Sequence, residues 1–175
     1  MHIEAYDGFA RMLALSGLDV NHPWRILDVG GADVNGSVRA QLPLAVFTGL
    51  DIEPAPGVEI VADAATWRLP EGDHGYDVVI ATELFEHAEQ WREIIETMAK
   101  ALDPEGPQIL IATCASTGRP PHGARGEWGV PAGQFYGNVS PEDLRRELEL
   151  WFHEVEVHYN ANPGDAYMWA KRWKA

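Results

Sequence analysis

The sequence is poor in cysteine and has no long apolar segment. Its single cysteine, Cys114, excludes an internal disulfide and any metal site built from several cysteines. No apolar run approaches the roughly 18 residues that span a membrane. No segment at the start combines the basic and apolar regions of a signal peptide. These absences predict a cytoplasmic protein that does not enter membranes.

Positive charge is also scarce. The chain carries 13 Lys and Arg against 27 Asp and Glu, a net charge of −14. Such a charge repels the phosphate backbone of nucleic acids and the surfaces of anionic lipids. We therefore expect neither a nucleic acid nor a membrane as partner. A small-molecule substrate is the first prediction, and a protein side chain is the second.

Short β-branched runs alternate with helical patterns along the chain, as in an α/β fold with a parallel sheet. At 175 residues, with 46% hydrophobic residues, the chain predicts one globular domain. The predicted strands are residues 25–29, 45–51, 57–63, 76–82 and 108–114, followed by a hairpin of residues 152–159 and 166–173. The predicted helices are residues 5–18, 37–42, 83–102 and 140–150.

A glycine-rich loop follows the first predicted strand, in the stretch Asp28-Val29-Gly30-Gly31-Ala32. Gly31 and Gly36 have the spacing of a phosphate loop, but the lysine is missing and Asp33 lies where phosphate would bind. The dinucleotide fingerprint also matches poorly, because Ala32 replaces its second glycine. S-adenosylmethionine fits better, because it lacks phosphate and its ammonium and sulfonium groups attract carboxylates. Its close approach to the backbone still needs small residues.

The second, third and fourth predicted strands also end in residues that can contact a ligand. Asp51 ends the second strand 21 positions after Gly30, where a carboxylate can accept both ribose hydroxyls. Asp63 ends the third strand, where it can accept the exocyclic amine of adenine. Ala81 and Thr82 end the fourth strand. Because ligands of doubly wound sheets bind at the carboxyl ends of the strands, these residues predict one binding crevice.

Four stretches together carry a resemblance to a known family. LDVGGADVNGS, TGLDIEP, VADAATW and DVVIATELFEH resemble the class I S-adenosylmethionine-dependent methyltransferases, in the broad group with a methyltransferase-11-like domain. The resemblance covers roughly residues 24–112. It implies an α/β, Rossmann-like, doubly wound sheet of seven strands, mostly parallel, with an antiparallel strand from the C-terminal hairpin. It also implies S-adenosylmethionine as cofactor and S-adenosylhomocysteine as product.

The resemblance assigns parts of this cofactor to residues at the strand ends. Gly30 and its neighbours would hold the methionine part, and Asp51 the ribose. Ile52 would pack on adenine, and Asp63 with Ala64 would bound its amine edge. The full set of predicted cofactor contacts is Asp28, Gly30, Gly31, Ala32, Asp51, Ile52, Asp63, Ala64, Ala81, Thr82 and His87.

A loop of about two dozen residues, 117–138, is too long to be a simple connection, and loops of this length usually cover a site. It follows the fifth strand on the cofactor's side of the sheet, so we predict that it folds over the methyl acceptor. His122 and Tyr136 are the predicted catalytic residues, which would handle the acceptor's proton. Trp128, Phe135 and Tyr136 are predicted to cover the substrate.

The single domain, residues 1–175, thus divides into four predicted parts. They are an N-terminal helix (1–22), a cofactor-binding half (24–113), a lid-like loop (114–139) and a C-terminal helix with hairpin (140–175).

The helix predicted over residues 83–102 carries a series of glutamates. We expect Glu83, Glu86, Glu89 and Glu93 on its solvated face, with His87 either exposed or beside the cofactor. No metal ligand is predicted anywhere in the chain.

The sequence predicts an S-adenosylmethionine-dependent methyltransferase and leaves two alternatives open. Ala32 stands where the family usually has glycine, which motivates a non-catalytic S-adenosylmethionine- or nucleoside-binding partner protein. A nicotinamide-dependent oxidoreductase is the weaker alternative. The methyl acceptor itself is not identified by any residue pattern.

Overall fold

The computed structural model of the chain describes residues 2–34 and 36–173. Among these, no helix has the length and apolar character needed to cross a membrane. Residues 174 and 175, the end of the predicted C-terminal part, lie outside the described residues. The elements in chain order are α1 (Ile3–Ser16), β1 (Arg25–Val29), a first 3-10 helix (Val38–Gln41), β2 (Val46–Asp51), β3 (Ile60–Val61), β4 (Val78–Thr82), a second 3-10 helix (Phe85–His87), α2 (Trp91–Lys100), β5 (Ile109–Ala115), α3 (Pro141–Trp151), β6 (Phe152–Asn160) and β7 (Asp165–Trp173).

The strands form one seven-stranded sheet in the order β3-β2-β1-β4-β5-β7-β6. Strands β1 to β5 are parallel to one another, whereas β7 pairs antiparallel with both β5 and β6. This arrangement confirms the predicted fold, including the antiparallel strand from the C-terminal hairpin. The strand order reverses between β1 and β4, which is the position where ligands bind in sheets of this kind.

Apolar residues cover both faces of the sheet because successive residues of a strand point to opposite sides. Ile26 of β1 packs with Phe9 and Met12 of α1 on one face. The next residue, Leu27, belongs to the core on the other face, which α2 and α3 cover. Helices therefore lie on both faces, and the sheet is doubly wound as predicted.

The ends of α1 and α3 follow from their capping residues. The backbone of Gly17 is left-handed, with φ of 71°, and ends α1 as predicted. Ser140 caps α3, because its Oγ accepts a hydrogen bond of 3.1 Å from the backbone N–H of Asp143. Pro141 occupies the first turn, where a missing N–H costs nothing.

Two sequence predictions about elements are wrong. Strand β3 contains only residues 60–61, not 57–63, and α2 begins at Trp91, not at Glu83. The backbone of Glu83 has φ of 55°, which a right-handed helix cannot continue. Glu86 is fully buried and the Glu83 side chain is mostly buried, so only the later two glutamates, Glu89 and Glu93, are exposed as expected.

Candidate active site

A cavity of about 280 Å³ opens at the carboxyl ends of β1, β2 and β3, beside the point where the strand order reverses. The linker between β4 and α2 closes one side, and Phe135 from the long loop closes another. Six predicted cofactor contacts line this cavity, which is called the cofactor cavity below: Gly30, Asp51, Ile52, Asp63, Ala64 and His87.

The two glycines of the loop after β1 have different environments. Gly30 has φ of 73°, its N–H donates to the Leu50 carbonyl at 2.8 Å, and it lines the cofactor cavity. Gly31 does not line the cavity. A Cβ at Gly31 would lie 2.7 Å from the carbonyl oxygen of Asp28 and 3.0 Å from Cα of Gly49. Gly31 is therefore required by backbone packing, whereas Gly30 is next to the ligand space.

Asp28 lies beneath this loop and is nearly fully buried. Arg39, on the first 3-10 helix, donates from Nε to Asp28 Oδ2 at 2.9 Å and from Nη2 to the carbonyl of Gly57 at 2.7 Å. Burial raises the pKa of the Asp28 carboxyl, and the guanidinium of Arg39 opposes that rise. In this structure Asp28 joins β1, the 3-10 helix and the turn before β3, and it lies outside the cavity lining.

Ala32 adjoins the predicted ribose acid. Its N–H donates to Oδ2 of Asp51 at 3.3 Å, and the N–H of Glu53 donates to Oδ1 of the same carboxylate at 3.2 Å. The described non-glycine residues with left-handed backbone are Glu83 and Gln108 only, so the conformation of Ala32 does not require glycine. Ala32 itself lies outside the cavity lining.

The predicted adenine contacts all line the cofactor cavity. Ile52 is 68% exposed and lines the cavity. Oδ1 of Asp63 accepts the N–H of Ala65 at 2.9 Å, so this carboxylate also fixes the turn after β3. Asp63 and Ala64 both line the cavity.

Two further predicted contacts lie within the sheet. Ala81 is fully buried between Val29 of β1 and Ala112 of β5. Thr82 ends β4 and is half-buried. Neither residue lines the cofactor cavity.

A larger cavity of about 720 Å³ adjoins the first and is called the acceptor cavity. Residues 119–128 of the long loop form much of its wall, including His122 and the fully exposed Trp128. His87 lines both cavities and so lies at their boundary. The tip of the loop contacts the segment after β2, because Arg125 Nη2 lies 2.6 Å from Glu53 Oε2.

A network of charged side chains forms another wall of the acceptor cavity. Nε2 of His2 lies 3.1 Å from Glu83 Oε2 and 3.3 Å from Asp165 Oδ2, and Arg119 Nη1 lies 3.3 Å from Asp165 Oδ1. The hydrogen bond to Glu83 raises the pKa of His2. Burial alone would raise the pKa of Glu83, but the hydrogen bond and the charge of His2 lower it overall. The network ties α1 to the ends of β4 and β7.

Three rings meet at the boundary of the two cavities. The ring centroid of His122 lies 5.1 Å from that of His87 and 4.9 Å from that of Tyr136. Burial lowers the pKa of His87 to about 4, and the nearby His122 contributes, so His87 is neutral at physiological pH. Burial and the charge of Glu86 raise the pKa of Tyr136, whose hydroxyl donates to Oδ1 of Asn138 at 2.8 Å. The two predicted catalytic residues are therefore close together and beside His87.

Comparison with solved structures identifies the fold. The chain superposes with a TM-score of 0.65 on a Burkholderia thailandensis 1,6-didemethyltoxoflavin-N1-methyltransferase holding 1,6-didemethyltoxoflavin and S-adenosylhomocysteine, at 14% identity over 97% of this chain and 79% of that one. An S-adenosylmethionine-dependent methyltransferase from Mesorhizobium loti gives 0.62, at 17% identity over 95% and 100%. The N-methyltransferase NodS from Bradyrhizobium japonicum, in complex with S-adenosylhomocysteine, gives 0.60, at 18% identity over 96% and 85%. The chain has the fold of S-adenosylmethionine-dependent methyltransferases.

The sequence itself matches no protein-family model and no curated protein. Within this methyltransferase fold, sequence reasoning missed Glu86, Arg39 and the network of His2 with Glu83. The sequence segment ELFEH, directly after a buried strand, is the signal that could have indicated a functional position for Glu86. The predicted helix placed Glu83 and Glu86 on a solvated face. In the structure α2 begins only at Trp91, and Glu86 is buried in the segment before it.

Proposed function

We propose that the chain is a methyltransferase that binds S-adenosylmethionine in the cofactor cavity. Asp51 accepts hydrogen bonds from the ribose hydroxyls, and the exposed side chain of Ile52 packs on adenine. Asp63 and Ala64 bound the amine edge of adenine, while Gly30 lets the backbone approach the methionine part. The positions of all five residues on the cavity wall support these roles.

One observation carries this proposal: the two cavities adjoin at His87. Methyl transfer from a sulfonium is an in-line displacement, so the donor and the acceptor need adjacent spaces that meet at the reacting atoms. The cofactor cavity lies at the reversal of strand order, and the acceptor cavity lies beside it under the loop. The predicted contacts Asp28, Gly31, Ala32, Ala81 and Thr82 lie outside the cavity lining, and their part in binding stays a prediction.

The acceptor that we propose is a small molecule. The 720 Å³ of the acceptor cavity falls within the range of typical small-molecule sites. Its wall contains both signs of charge, from Glu83 and Arg119, together with the indole of Trp128. A polar acceptor with an apolar ring or chain would match these surfaces. A protein side chain reaching under the loop is the second choice.

His122 is the side chain that we place next to the reacting group of the acceptor. Its Nδ1 lies 3.1 Å from the carbonyl oxygen of Pro120, which can only accept, so the proton of the neutral ring is on Nδ1. Nε2 then has a lone pair that can take the acceptor's proton. Tyr136 keeps its proton, which it donates to Oδ1 of Asn138, so its hydroxyl oxygen would orient the acceptor by accepting a hydrogen bond.

Calorimetric titration with S-adenosylmethionine and with S-adenosylhomocysteine tests the proposal, followed by a screen for methyl transfer to small-molecule acceptors. We expect both ligands to bind and at least one acceptor to be methylated. Failure of both ligands to bind would refute the proposal. Binding without transfer across a broad screen would instead favour a non-catalytic binding protein, and binding of a reduced dinucleotide would favour an oxidoreductase.

A further inference from the structure

Glu86, His87 and His122 form a cluster at the boundary of the two cavities. One nitrogen or oxygen atom from each residue lies within 4.8 Å of those of the other two. Glu86 is fully buried below the acceptor cavity, whereas the two histidines are half-buried and line it. The cluster combines residues from the second 3-10 helix and from the long loop, which are far apart in the sequence.

Each member of the cluster has a lone pair that accepts no hydrogen bond from the described residues. Oε1 of Glu86 accepts the N–H of Ala115 at 3.0 Å, but its Oε2 is buried and has no hydrogen-bond partner among the described residues. Nδ1 of His87 is also buried and lacks a described partner. Nδ1 of His122 donates to Pro120, which leaves its Nε2 lone pair available. Buried polar atoms normally have partners, so two orphaned atoms in one cluster indicate a missing one.

A divalent transition-metal ion would supply a partner for each of these orphaned atoms. No hydrogen bond joins Glu86 to His87 or His122 in the part of the chain that the structure describes. Two imidazole nitrogens with one carboxylate oxygen are the ligand set of many catalytic zinc sites, which keep a fourth position open. Magnesium and calcium prefer all-oxygen sites.

We propose that Glu86, His87 and His122 bind a divalent transition-metal ion, with an open coordination position toward the acceptor cavity. Ligand atoms around a tetrahedral ion lie roughly 3.4 Å apart, so the side chains close in when the ion binds. His122 is on the loop, so its movement disturbs no strand or helix. The carbonyl of Pro120 already fixes the ring of His122 from behind, as outer partners of metal-binding histidines commonly do.

The ion would change the chemistry of the acceptor, and this consequence rests on the proposed methyl transfer. An acceptor hydroxyl that contacts the ion loses its proton to solvent at lower pH. The S–CH₃ bond then breaks with its electron pair left on sulfur, and an O–CH₃ bond forms with a pair from the deprotonated oxygen. With the ion bound, His122 is a ligand and no longer accepts the proton.

Titration of the chelator-treated full chain with Zn²⁺ alone tests the site without any need for activity. We expect the native chain to bind one ion. Glu86→Gln keeps the size of the side chain and an oxygen to accept from Ala115, and His122→Ala removes a half-buried ring on the loop. Each variant should weaken Zn²⁺ binding at least tenfold, whereas His153→Ala, an exposed control on β6, should not change it. Mg²⁺ should bind at least tenfold more weakly than Zn²⁺.

Several outcomes would overturn the metal site. The site is wrong if the native chain binds Zn²⁺ no more tightly than Glu86→Gln and His122→Ala do. It is also wrong if His153→Ala loses as much affinity for Zn²⁺ as those two variants. Should Glu86→Gln melt before the titration temperature, His122→Ala decides the result. Titration of the same samples with S-adenosylhomocysteine separates the two proposals. If only S-adenosylhomocysteine binds, the metal site is wrong; if only Zn²⁺ binds, the proposed function is wrong.

Discussion

The cofactor cavity and the acceptor cavity are built in different ways. Strand ends and short turns line the first, and their backbones are tied together by hydrogen bonds such as that from Gly30 to Leu50. A long loop lines the second, together with His2, just before α1, and Glu83, just after β4. The first cavity depends on backbone close to the sheet, whereas the second depends on side chains that are distant in the sequence. The two regions should therefore respond differently to substitution.

The largest expected effect is a loss of stability from a single methyl group in the cofactor half. A Cβ at Gly49, on β2, would lie 1.8 Å from the carbonyl oxygen of Gly57. Because backbone atoms cannot move aside as a side chain can, Gly49→Ala should lower the free energy of unfolding by about 3 kcal/mol or more. A Cβ at Gly137, in the loop, meets only the ring of Phe135, at 3.0 Å. Chemical unfolding should show a much smaller loss for Gly137→Ala, and equal losses would contradict the contrast between the two regions.

The next effect concerns the ion pair below the glycine loop. Replacing Arg39 by alanine leaves the buried carboxylate of Asp28 without its guanidinium and removes a hydrogen bond to Gly57. Loss of one partner of a buried pair typically costs about 3 kcal/mol. Urea unfolding of Arg39→Ala measures this loss. The exposed ion-pair residue Arg146 is the control, because Arg146→Ala should cost less than about 1 kcal/mol.

A smaller effect separates cofactor binding from the acceptor side. Asp51→Asn replaces a charged hydrogen-bond acceptor, so its affinity for S-adenosylhomocysteine should fall roughly tenfold to a hundredfold. His122→Ala lies in the other cavity and should change this affinity by no more than about twofold. Calorimetry measures both, with the exposed Asp7→Asn as control. An unchanged affinity in Asp51→Asn would remove Asp51 from the cofactor site.

The smallest effect is a pH-dependent contribution of His2 to stability. His2 faces the carboxylates of Glu4, Glu83 and Asp165, with Arg119 on the far side of Asp165. Because folding raises its pKa above 6.5, the charged ring stabilises the fold fully below that pH, and the contribution disappears as pH rises through the folded pKa. His2→Gln should thus lose stability below pH 6.5, by no more than about 1 kcal/mol, and match the native chain at alkaline pH. A difference in melting temperature that grows with pH would contradict this sign.

The fold could be predicted because its signals are local. Alternating helical and β-branched patterns indicated all seven strands of the described residues, although β3 is much shorter than predicted. Gly17 ended α1 and Ser140 began α3, as their conformations require. The prediction failed at residues 83–90. The apolar spacing of a helix extends over them, but the α-helix begins only at Trp91. Glu83 adopts a left-handed conformation and its carboxylate contacts His2, a residue some eighty positions away. No local pattern contains that contact.

The candidate site divides in the same way. The sequence by itself determined the residues at the strand ends, Gly30, Asp51 and Asp63, because parallel strands of one sheet end at the same edge. Only the tertiary structure decided that Arg39 forms an ion pair with Asp28. It also decided that the buried Glu86 lies beside His87 and His122. Burial gives these side chains their importance, since an unpartnered lone pair or charge is costly only away from water. Burial depends on how the loop and helices pack, which periodicity and motif spacing do not record.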